Sequence, residues 1–263
     1  MSIMKEKNSY ERRIVCFIDI LGFSGKIKET TKNSSEGNAN LENICKAIKF
    51  INDFSGILHN KIKINGIQST QFSDSIVISF PWKEKENTII AAFMLIKYMQ
   101  VYLIKEFNVL LRGGIVIGDV IHNTQMIVGP AMIDAYQLES KCAFSPRIVI
   151  DPKVSFKFNK ILKKNKGIGT WNDTTIIHKD LDDTSYIDYF NFADNDDIMT
   201  PEEMLEYFSQ LCRMIATNVN SSDMSVRVKY LWMRNKIKDS KFYKKPEYKL
   251  AYKDIVTNRG KTS

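Results

Sequence analysis

Apolar and polar residues follow several distinct patterns along the chain. Residues 13–20 form a short apolar and β-branched run that ends before Gly22, which predicts a buried central strand. Residues 29–40 are rich in Ser, Thr, Asn and Gly, which predicts a loop. From residue 41 the apolar positions recur every three or four residues, so a helix is predicted to continue to about residue 59.

The longest apolar segment, residues 88–104, predicts a core helix. It contains Lys97 and Gln100, and it is shorter than the roughly 20 apolar residues that a membrane-spanning helix needs. The helical pattern itself extends over about residues 87–106.

The elements around this helix predict a mixed α and β fold. Strands at 61–68 and 71–80 are expected to form a hairpin before it. A strand at 109–117 follows it, with glycines that indicate close backbone approach, and then a helix at 129–141 and a strand at 147–150. This order predicts an α/β fold, specifically an α+β sandwich of ferredoxin-like or palm type.

Later segments predict an extension of the sheet and then helices. Residues 175–177 and 185–192 are strand candidates, the second of which extends the sheet. Helices are expected at 201–219 and 223–238, the first of them starting from Thr200 in a capping box. The aromatic residues of these helices are interpreted as packing residues rather than base-stacking ones.

The chain is expected to have three parts, which are a core at 12–152, a sheet extension with loops at 153–199, and a C-terminal helical extension with a basic tail at 200–263. The net charge is +8, but twelve Lys or Arg and only three Asp or Glu follow from Ser225 onward, so the preceding residues sum to −1. The main body is therefore not basic. The tail is interpreted as a solvated, partly disordered terminus, with a triphosphate contact or an acidic partner as the alternative.

Composition and cysteine usage indicate a globular protein of a reducing compartment. Hydrophobic residues make up 44% of the 263 residues, which is enough for a sizeable core. The first thirteen residues are polar and charged, without the apolar segment of a signal peptide, and the four cysteines lack zinc-site spacing. We therefore expect a cytoplasmic protein. The three histidines are isolated in the sequence, and none is assigned a chemical role.

Two aspartates, Asp19 and Asp74, lie in otherwise apolar strands close to turns. A carboxylate in such a strand is unfavourable to bury unless it is paired or binds a cation. Two such strands side by side would form a site for hard metal ions, which indicates phosphoryl chemistry. A capping or turn role for Asp19 is the alternative.

Four motifs around these aspartates, in order, resemble the class III nucleotidyl cyclases. They are Phe-Ile-Asp-Ile-Leu-Gly-Phe-Ser at 17–24, Phe-Ser-Asp-Ser at 72–75, Leu-Arg-Gly-Gly-Ile-Val-Ile-Gly at 111–118, and the segment from Gly129 to Glu139. No motif is decisive alone, but the ordered set is specific. The resemblance covers residues 12–152 and implies a palm-like catalytic domain.

The resemblance implies a role for each matching residue. Asp19 and Asp74 would bind two divalent cations, Mn²⁺ or Mg²⁺, with the carbonyl oxygen of Ile20 as a further ligand. The turn that contains Gly22, Phe23 and Ser24 would offer N–H groups to the substrate phosphates. In the third motif, Arg112 would bind the β- and γ-phosphates.

The departures from the family pattern concern the base and the transition state. Purine cyclases carry a Lys and an Asp where this chain has Thr70 and Met126, and neither of these residues can make a charge-assisted contact with a purine edge. The family's catalytic Asn and Arg correspond here to Ile133 and Gln137. Either other cations support the reaction, or the domain is inactive.

Within the family, the chain resembles the pyrimidine cyclases of bacterial Pycsar antiphage defence. The shared motifs are Phe-Ile-Asp-Ile-Leu-Gly-Phe at 17–23, Phe-Ser-Asp-Ser at 72–75, Ala-Tyr-Gln-Leu-Glu at 135–139 and Pro-Arg-Ile at 146–148. This resemblance implies conversion of UTP or CTP into a cyclic mononucleotide that activates a separate effector. It also implies a homodimer with sites between the chains. Arg147 is the candidate replacement cation, with a rim salt bridge as the alternative.

Three other interpretations remain open at this level. A degenerate cyclase-like domain would bind nucleotide without turnover, which leaves the two retained aspartates unexplained. A purine cyclase is the second. A nucleic-acid-binding module would rest on the basic tail alone.

Overall fold

The computed structural model describes residues 9–31, 35–62, 65–82, 88–164, 176–192 and 199–257, without the side chains of 29, 36 and 55–62. The strands are β1 (Glu11–Ile20), β2 (Gln68–Phe72), β3 (Ser75–Pro81), β4 (Leu111–His122), β5 (Ile127–Val128), β6 (Ile148–Ile150), β7 (Ile177–Lys179) and β8 (Ser185–Ile187). The helices are α1 (Phe23–Thr30), α2 (Ser35–Ile62), α3 (Thr88–Phe107), α4 (Pro130–Cys142), α5 (Pro152–Lys164), α6 (Pro201–Asn218), α7 (Met224–Asp239) and α8 (Pro246–Tyr252).

A single mixed sheet forms the centre of the fold. Its strand order is β2-β3-β1-β4-β6-β8-β7, and β5 pairs with β4 beside this path. The first four strands are antiparallel in the order of a ferredoxin-like sandwich, whereas β6 runs parallel to β4. The predicted α+β class is therefore confirmed, and β8 extends the sheet as predicted.

Strand β1 supplies buried side chains to both faces of this sheet. Ile14, Cys16 and Ile18 pack into the large core against α2, α3 and α5, while Val15 and Phe17 face α4. This follows from the alternation of side chains along a strand. Among the described residues α3 is the one helix long and apolar enough to cross a membrane, yet most of it is buried in the protein. The prediction of a core helix is confirmed.

Glycines in β4 allow close contact with the neighbouring strand and with α4. A Cβ atom at Gly113 would lie 2.4 Å from the carbonyl oxygen of Phe17, and one at Gly114 would lie 2.4 Å from that of Ala135. Neither backbone oxygen can move without breaking the packing of its element. The close approach predicted from the sequence is thus confirmed, and it holds α4 against the sheet.

Two predictions about local structure are wrong. Residues 29–40 were expected to form a loop, but α1 continues to Thr30 and α2 begins at Ser35, because tertiary packing outweighs weak local preferences. The hairpin lies later than predicted: 61–62 belong to α2 and 63–64 lie outside the described residues, so β2 begins at Gln68. Its turn is at residues 73–74, where Ser73 has a positive φ of 54°.

The C-terminal extension folds into a second hydrophobic cluster. α6 begins with the predicted capping box at Thr200, and Tyr207 and Phe208 are buried as packing residues. The tail was interpreted as partly disordered, but it forms α7, a 3₁₀ turn, α8 and a π-helical turn up to Thr257. Buried Phe242 and Tyr252 anchor this segment. That interpretation is therefore wrong for residues 225–257, because their apolar side chains bury against α6.

Candidate active site

The two aspartates of the predicted site lie at the same end of the sheet. Asp19 is the penultimate residue of β1, and Asp74 lies in the turn between β2 and β3. The backbone N–H of Ile20 donates a hydrogen bond to the carbonyl oxygen of Asp74 over 3.0 Å. The hairpin turn is thus tied to the end of β1, which brings the two residues together as the motifs predicted.

The Asp19 carboxylate is half-enclosed and has two partners. Its side chain is 14% exposed. Ser75 donates its hydroxyl to Oδ1 over 3.2 Å, and Arg112 donates Nε–H to Oδ2 over 2.9 Å. Both partners stand directly opposite Asp19 in the sheet, Ser75 on β3 and Arg112 on β4. The strand register alone therefore gathers these three side chains on the α4 face.

Arg112 connects the sheet to a carboxylate that was not assigned a role from the sequence. Glu139 of α4 is 3% exposed, and its Oε1 lies 2.8 Å from Arg112 Nε. Burial raises the pKa of Glu139, and Arg112 partly offsets this effect. The side chain of Arg112 remains 35% exposed. Its charge is thus shared by two carboxylates while part of the guanidinium faces solvent.

The turn after β1 presents backbone N–H groups. Gly22 has a φ of 75°, and a Cβ atom there would meet nothing within 4 Å. Phe23 and Ser24 form the first turn of α1, in which backbone N–H groups have no partner within the helix. This end of α1 is therefore suited to anions, which is what the predicted phosphate contact would require.

Thr70 lies on the same face of the sheet as Asp19. It pairs with Val77, which pairs in turn with Phe17, and both of these residues pack towards α4. Its hydroxyl oxygen lies 2.9 Å from Nε2 of His122, which is buried at the end of β4. No local pattern connects these two residues, because 52 positions separate them.

Met126, the last of the predicted substrate residues, and two residues of α4 are accessible from solvent or from a cavity. Met126 is exposed at the tip of the β4–β5 hairpin, where its N–H donates to the side chain of Asn123. On α4, Ile133 is exposed, and Gln137 lines a cavity of about 450 Å³. The cations at this cavity are Arg12, Lys141, Lys153 and Lys157.

Arg147 is held in a separate ion-pair cluster. Its side chain is 4% exposed, and its guanidinium donates to both Asp180 and Asp182 and to the carbonyl oxygen of Cys142. Burial opposes its charged form, but the hydrogen bonds and charges of the two aspartates outweigh burial and raise the pKa of Arg147. These contacts correspond to the salt-bridge interpretation, except that Arg147 and Asp180 are buried and only Asp182 is half-exposed at the rim.

The donor set at Asp19 and Asp74 fits hard divalent cations. The described residues contain no group of three or more His, Cys, Asp or Glu side chains arranged to hold a metal. A pair of carboxylates with one backbone carbonyl suits Mg²⁺ or Mn²⁺, because such ions keep water and substrate phosphates in their remaining positions. Asp19, Asp74 and the carbonyl oxygen of Ile20 could therefore supply oxygen ligands to such an ion.

Comparisons with known proteins give structural likenesses only. No protein-family profile and no curated protein matches the chain. The guanylyl cyclase domain of the RhoGC fusion protein from the fungus Blastocladiella emersonii is 13% identical with a TM-score of 0.46, covering 68% of this chain and 96% of that one. The adenylyl cyclase CyaB from P. aeruginosa is 16% identical with a TM-score of 0.43, covering 58% and 82%.

A class III adenylyl cyclase-like ATP-binding protein from Pseudomonas aeruginosa is also similar, at 10% identity and a TM-score of 0.43. That alignment covers 68% of this chain and 39% of the other. At such low identities and TM-scores these likenesses carry no argument about activity. The fold class rests on the strand order itself.

Proposed function

We propose that the protein is a pyrimidine nucleotidyl cyclase that converts UTP, or CTP, into the 3′,5′-cyclic mononucleotide and pyrophosphate. The ribose 3′-oxygen forms a bond to the α-phosphorus and loses its proton, while the bond from that phosphorus to the β-phosphate oxygen breaks. The observation that carries the proposal is the hydrogen bond between Ile20 and Asp74, which joins the turn that contains Asp74 to the end of β1 that contains Asp19.

Two divalent cations, Mn²⁺ or Mg²⁺, would be held by Asp19, Asp74 and the carbonyl oxygen of Ile20. When bound, they favour deprotonation of the attacking hydroxyl and neutralise the leaving pyrophosphate. The hydrogen bond from Ser75 orients the Asp19 carboxylate, and the remaining exposure of Asp19 would allow a cation to replace Arg112 as its partner. Both carboxylates are consistent with this role, which a degenerate domain would not require.

The phosphates would bind beside these carboxylates. The N–H groups of Phe23 and Ser24 at the start of α1 favour negative charge, and Gly22 keeps the approach open. Arg112 is half-exposed, so its planar fork is able to bind a β- or γ-phosphate when Asp19 is neutralised by cations. In this role Arg112 offsets the charge that accumulates on pyrophosphate.

The residues at the base positions argue against purine substrates. The side chain of Thr70 carries an uncharged hydroxyl, and that of Met126 has only a thioether sulfur, which is a weak hydrogen-bond acceptor. A purine cyclase remains the alternative if other residues of the face, including those that line the basic cavity, read the base.

The other half of each site would come from a second copy of the chain, in a two-fold homodimer. Large apolar side chains are exposed around the candidate site, which is what an interface between copies requires. These are Phe72, Met126, Val128, Ile133 and Tyr136. Because Arg147 is committed to Asp180 and Asp182, we assign the missing cation to Lys141, whose Nζ lies 3.3 Å from Gln137 Oε1.

The cyclic product would act as a second messenger in antiphage defence and activate a separate effector protein. The shared motifs at 135–139 and 146–148 are the support for this assignment. The alternative is a cyclase-like domain that binds nucleotide as a regulator without turnover.

The deciding experiment incubates the pure protein with Mn²⁺ or Mg²⁺ and each of the four ribonucleoside triphosphates, and identifies the products by mass spectrometry. We expect cyclic UMP or cyclic CMP. Absence of every cyclic product would favour the regulatory alternative, and a product from ATP or GTP alone would overturn the base assignment.

The dimer is tested by mixing two inactive variants. Asp19→Asn lacks a metal ligand, and Lys141→Ala lacks the proposed cation. If each site takes these residues from different copies, mixed dimers contain one intact site and regain part of the activity. Mixtures that stay inactive, although sedimentation shows that dimers exchange copies, would contradict shared sites.

A further inference from the structure

A continuous chain of polar side chains crosses the α4 face of the sheet and ends at Thr70. Arg13 Nε donates to the hydroxyl oxygen of Ser79 over 2.8 Å, and this oxygen lies 2.7 Å from Nδ1 of His122. Nε2 of the same ring lies 2.9 Å from Thr70 Oγ1. The first three residues are buried, whereas Thr70 is half-buried. We call Arg13, Ser79 and His122 the relay.

The direction of each hydrogen bond in the relay follows from elementary donor and acceptor rules. A guanidinium only donates, so the Ser79 oxygen must accept from Arg13. The hydroxyl proton of Ser79 then needs an acceptor, because a buried unpaired donor is strongly unfavourable. His122 Nδ1 is the acceptor that the described contacts place within its reach. Ser79 therefore donates to His122.

The protonation of His122 determines the next step. Burial, and then the positive charge of Arg13, lower the pKa of His122 to about 4, so the ring is neutral at physiological pH. A neutral imidazole that accepts at Nδ1 carries its proton at Nε2. This proton points at Thr70 Oγ1, which becomes the acceptor. The hydroxyl proton of Thr70 is consequently directed away from His122.

We propose that the relay fixes Thr70 as a hydrogen-bond donor that reads the 4-carbonyl oxygen of a uracil base, and that Arg13, Ser79 and His122 are positioning residues for substrate choice. The inference rests on the proposed function. Cytosine carries an amino donor at this ring position, so a fixed donor faces another donor and the contact is lost. Sites that hydrogen-bond a specific group reject partners without it. UTP is therefore the preferred pyrimidine.

Fixing the proton matters because a threonine hydroxyl by itself does not distinguish the two bases. A free hydroxyl rotates and can donate to a carbonyl or accept from an amino group. Nε2–H of His122 occupies one of the two lone pairs of the Thr70 hydroxyl, which leaves its proton and a single lone pair and so favours donation to the base. Through three hydrogen bonds in series, the buried Arg13 thus determines whether the Thr70 hydroxyl donates or accepts towards the base.

The first test is independent of nucleotides. Nitrogen NMR of the ¹⁵N-labelled protein reports which ring nitrogen of each histidine carries the proton, and His122→Phe assigns the signal. We expect Nε2–H and unprotonated Nδ1 at neutral pH. An Nδ1–H tautomer or a cationic ring would overturn the relay.

The second test measures equilibrium binding of UTP and CTP to the intact protein with Mn²⁺. Thr70→Val and His122→Phe should each lower the UTP-to-CTP affinity ratio by about tenfold, chiefly by weakening UTP binding. Thr70→Ser keeps the hydroxyl and should retain the ratio. A wild-type preference for CTP, no binding of either nucleotide, or equal losses for both would overturn the proposal.

Binding also separates this inference from the proposed function. A chain that binds UTP in preference to CTP but forms no cyclic product disproves the cyclase activity and leaves the base reading intact. A chain that forms cyclic CMP more readily than cyclic UMP disproves the base reading and leaves the cyclase activity intact.

Discussion

Two arginines at neighbouring positions, Arg112 near the start of β4 and Arg147 directly before β6, differ in their exposure and in their partners. Gly113 of β4 pairs with Ile148 of β6, so the two arginines precede paired residues. Arg112 is 35% exposed and pairs with Asp19, whereas Arg147 is 4% exposed and is enclosed by Asp180 and Asp182. Both are in carboxylate pairs, but only the first faces the candidate site.

The second cluster is closed because the C-terminal extension covers it. From α7, Trp232 donates its indole N–H and Lys236 its ammonium group to Asp180. Every charge there is matched within the protein, so its contribution is to dock α7 against the sheet. A charged residue in this fold is available for chemistry when its partner can be exchanged for a ligand, and Arg112 meets that condition.

The largest effect is expected at the carboxylates of the open site. Asp19→Asn and Asp74→Asn should each reduce cyclase activity at least about a thousandfold, because an amide is a poor ligand for hard cations. Product formation is measured by mass spectrometry and folding by circular dichroism. Asp183→Asn is the matched control, since Asp183 is an exposed turn residue with a positive φ that Asn tolerates. Full activity of either site variant would remove the metal assignment.

Substitutions in the closed cluster of Arg147, Asp180 and Asp182 should change the free energy of unfolding rather than the turnover. Arg147→Met removes the cation that Asp180 and Asp182 share, although Asp180 keeps Lys236 and Asp182 is half-exposed. The free energy of unfolding should therefore fall by about 2–3 kcal/mol. Urea denaturation measures the change. Folded Arg147→Met protein at reduced temperature should keep its turnover. A stable variant that has lost activity would instead restore the catalytic interpretation of Arg147.

His122 predicts a pH dependence of stability. Its pKa falls from 6.5 to about 4 in the folded chain, so the unfolded chain binds more protons between these values. Stability is therefore complete above pH 6.5 and decreases as the pH falls towards 4, by at most about 3 kcal/mol. His122→Phe removes this component, so the difference between variant and wild type should shrink on acidification. A pH-independent difference would contradict the buried neutral ring.

The smallest stability effect is expected for Arg112→Met. Its ion pair is half-exposed, so its loss should change the free energy of unfolding by about 1 kcal/mol or less, while turnover falls markedly. Glu139, whose pKa burial already raises, is left without its cation and should become easier to protonate. The stability deficit should therefore grow as the pH rises. A deficit comparable to that of Arg147→Met would mean that the open pair is structural as well.

The sequence predicted elements whose pattern is strong and local. β1, α3 and α4 were found close to their predicted bounds, because apolar periodicity reflects which face is buried. The β2–β3 hairpin was misplaced, since Ser73 and Asp74 form a turn with a positive φ that is bonded to the distant strand β1. The prediction of a partly disordered tail was wrong because the high charge of this segment does not show that its aromatic residues are buried.

Within the candidate site the same division holds. The spacing and setting of Asp19 and Asp74 indicated a site for charged ligands, whereas the roles of Glu139 and His122 were missed. Their contacts join residues 27 or more positions apart, and no local pattern reports such pairs. Arg147 showed the converse, since its place after α4 suggested chemistry that its partners from the β7–β8 turn do not support.

By itself, the sequence determined the order of the strongly patterned elements β1, α3, β4 and α4, their buried faces, and the pair of carboxylates next to turns, because these depend on periodicity and on the chemistry of single residues. Only the tertiary structure decided which charges are exchangeable and which are enclosed. That distinction depends on strand register and on the packing of α7, which set the burial and the partners of each group. The same register turns Thr70 from an isolated hydroxyl into the end of a directed chain of hydrogen bonds.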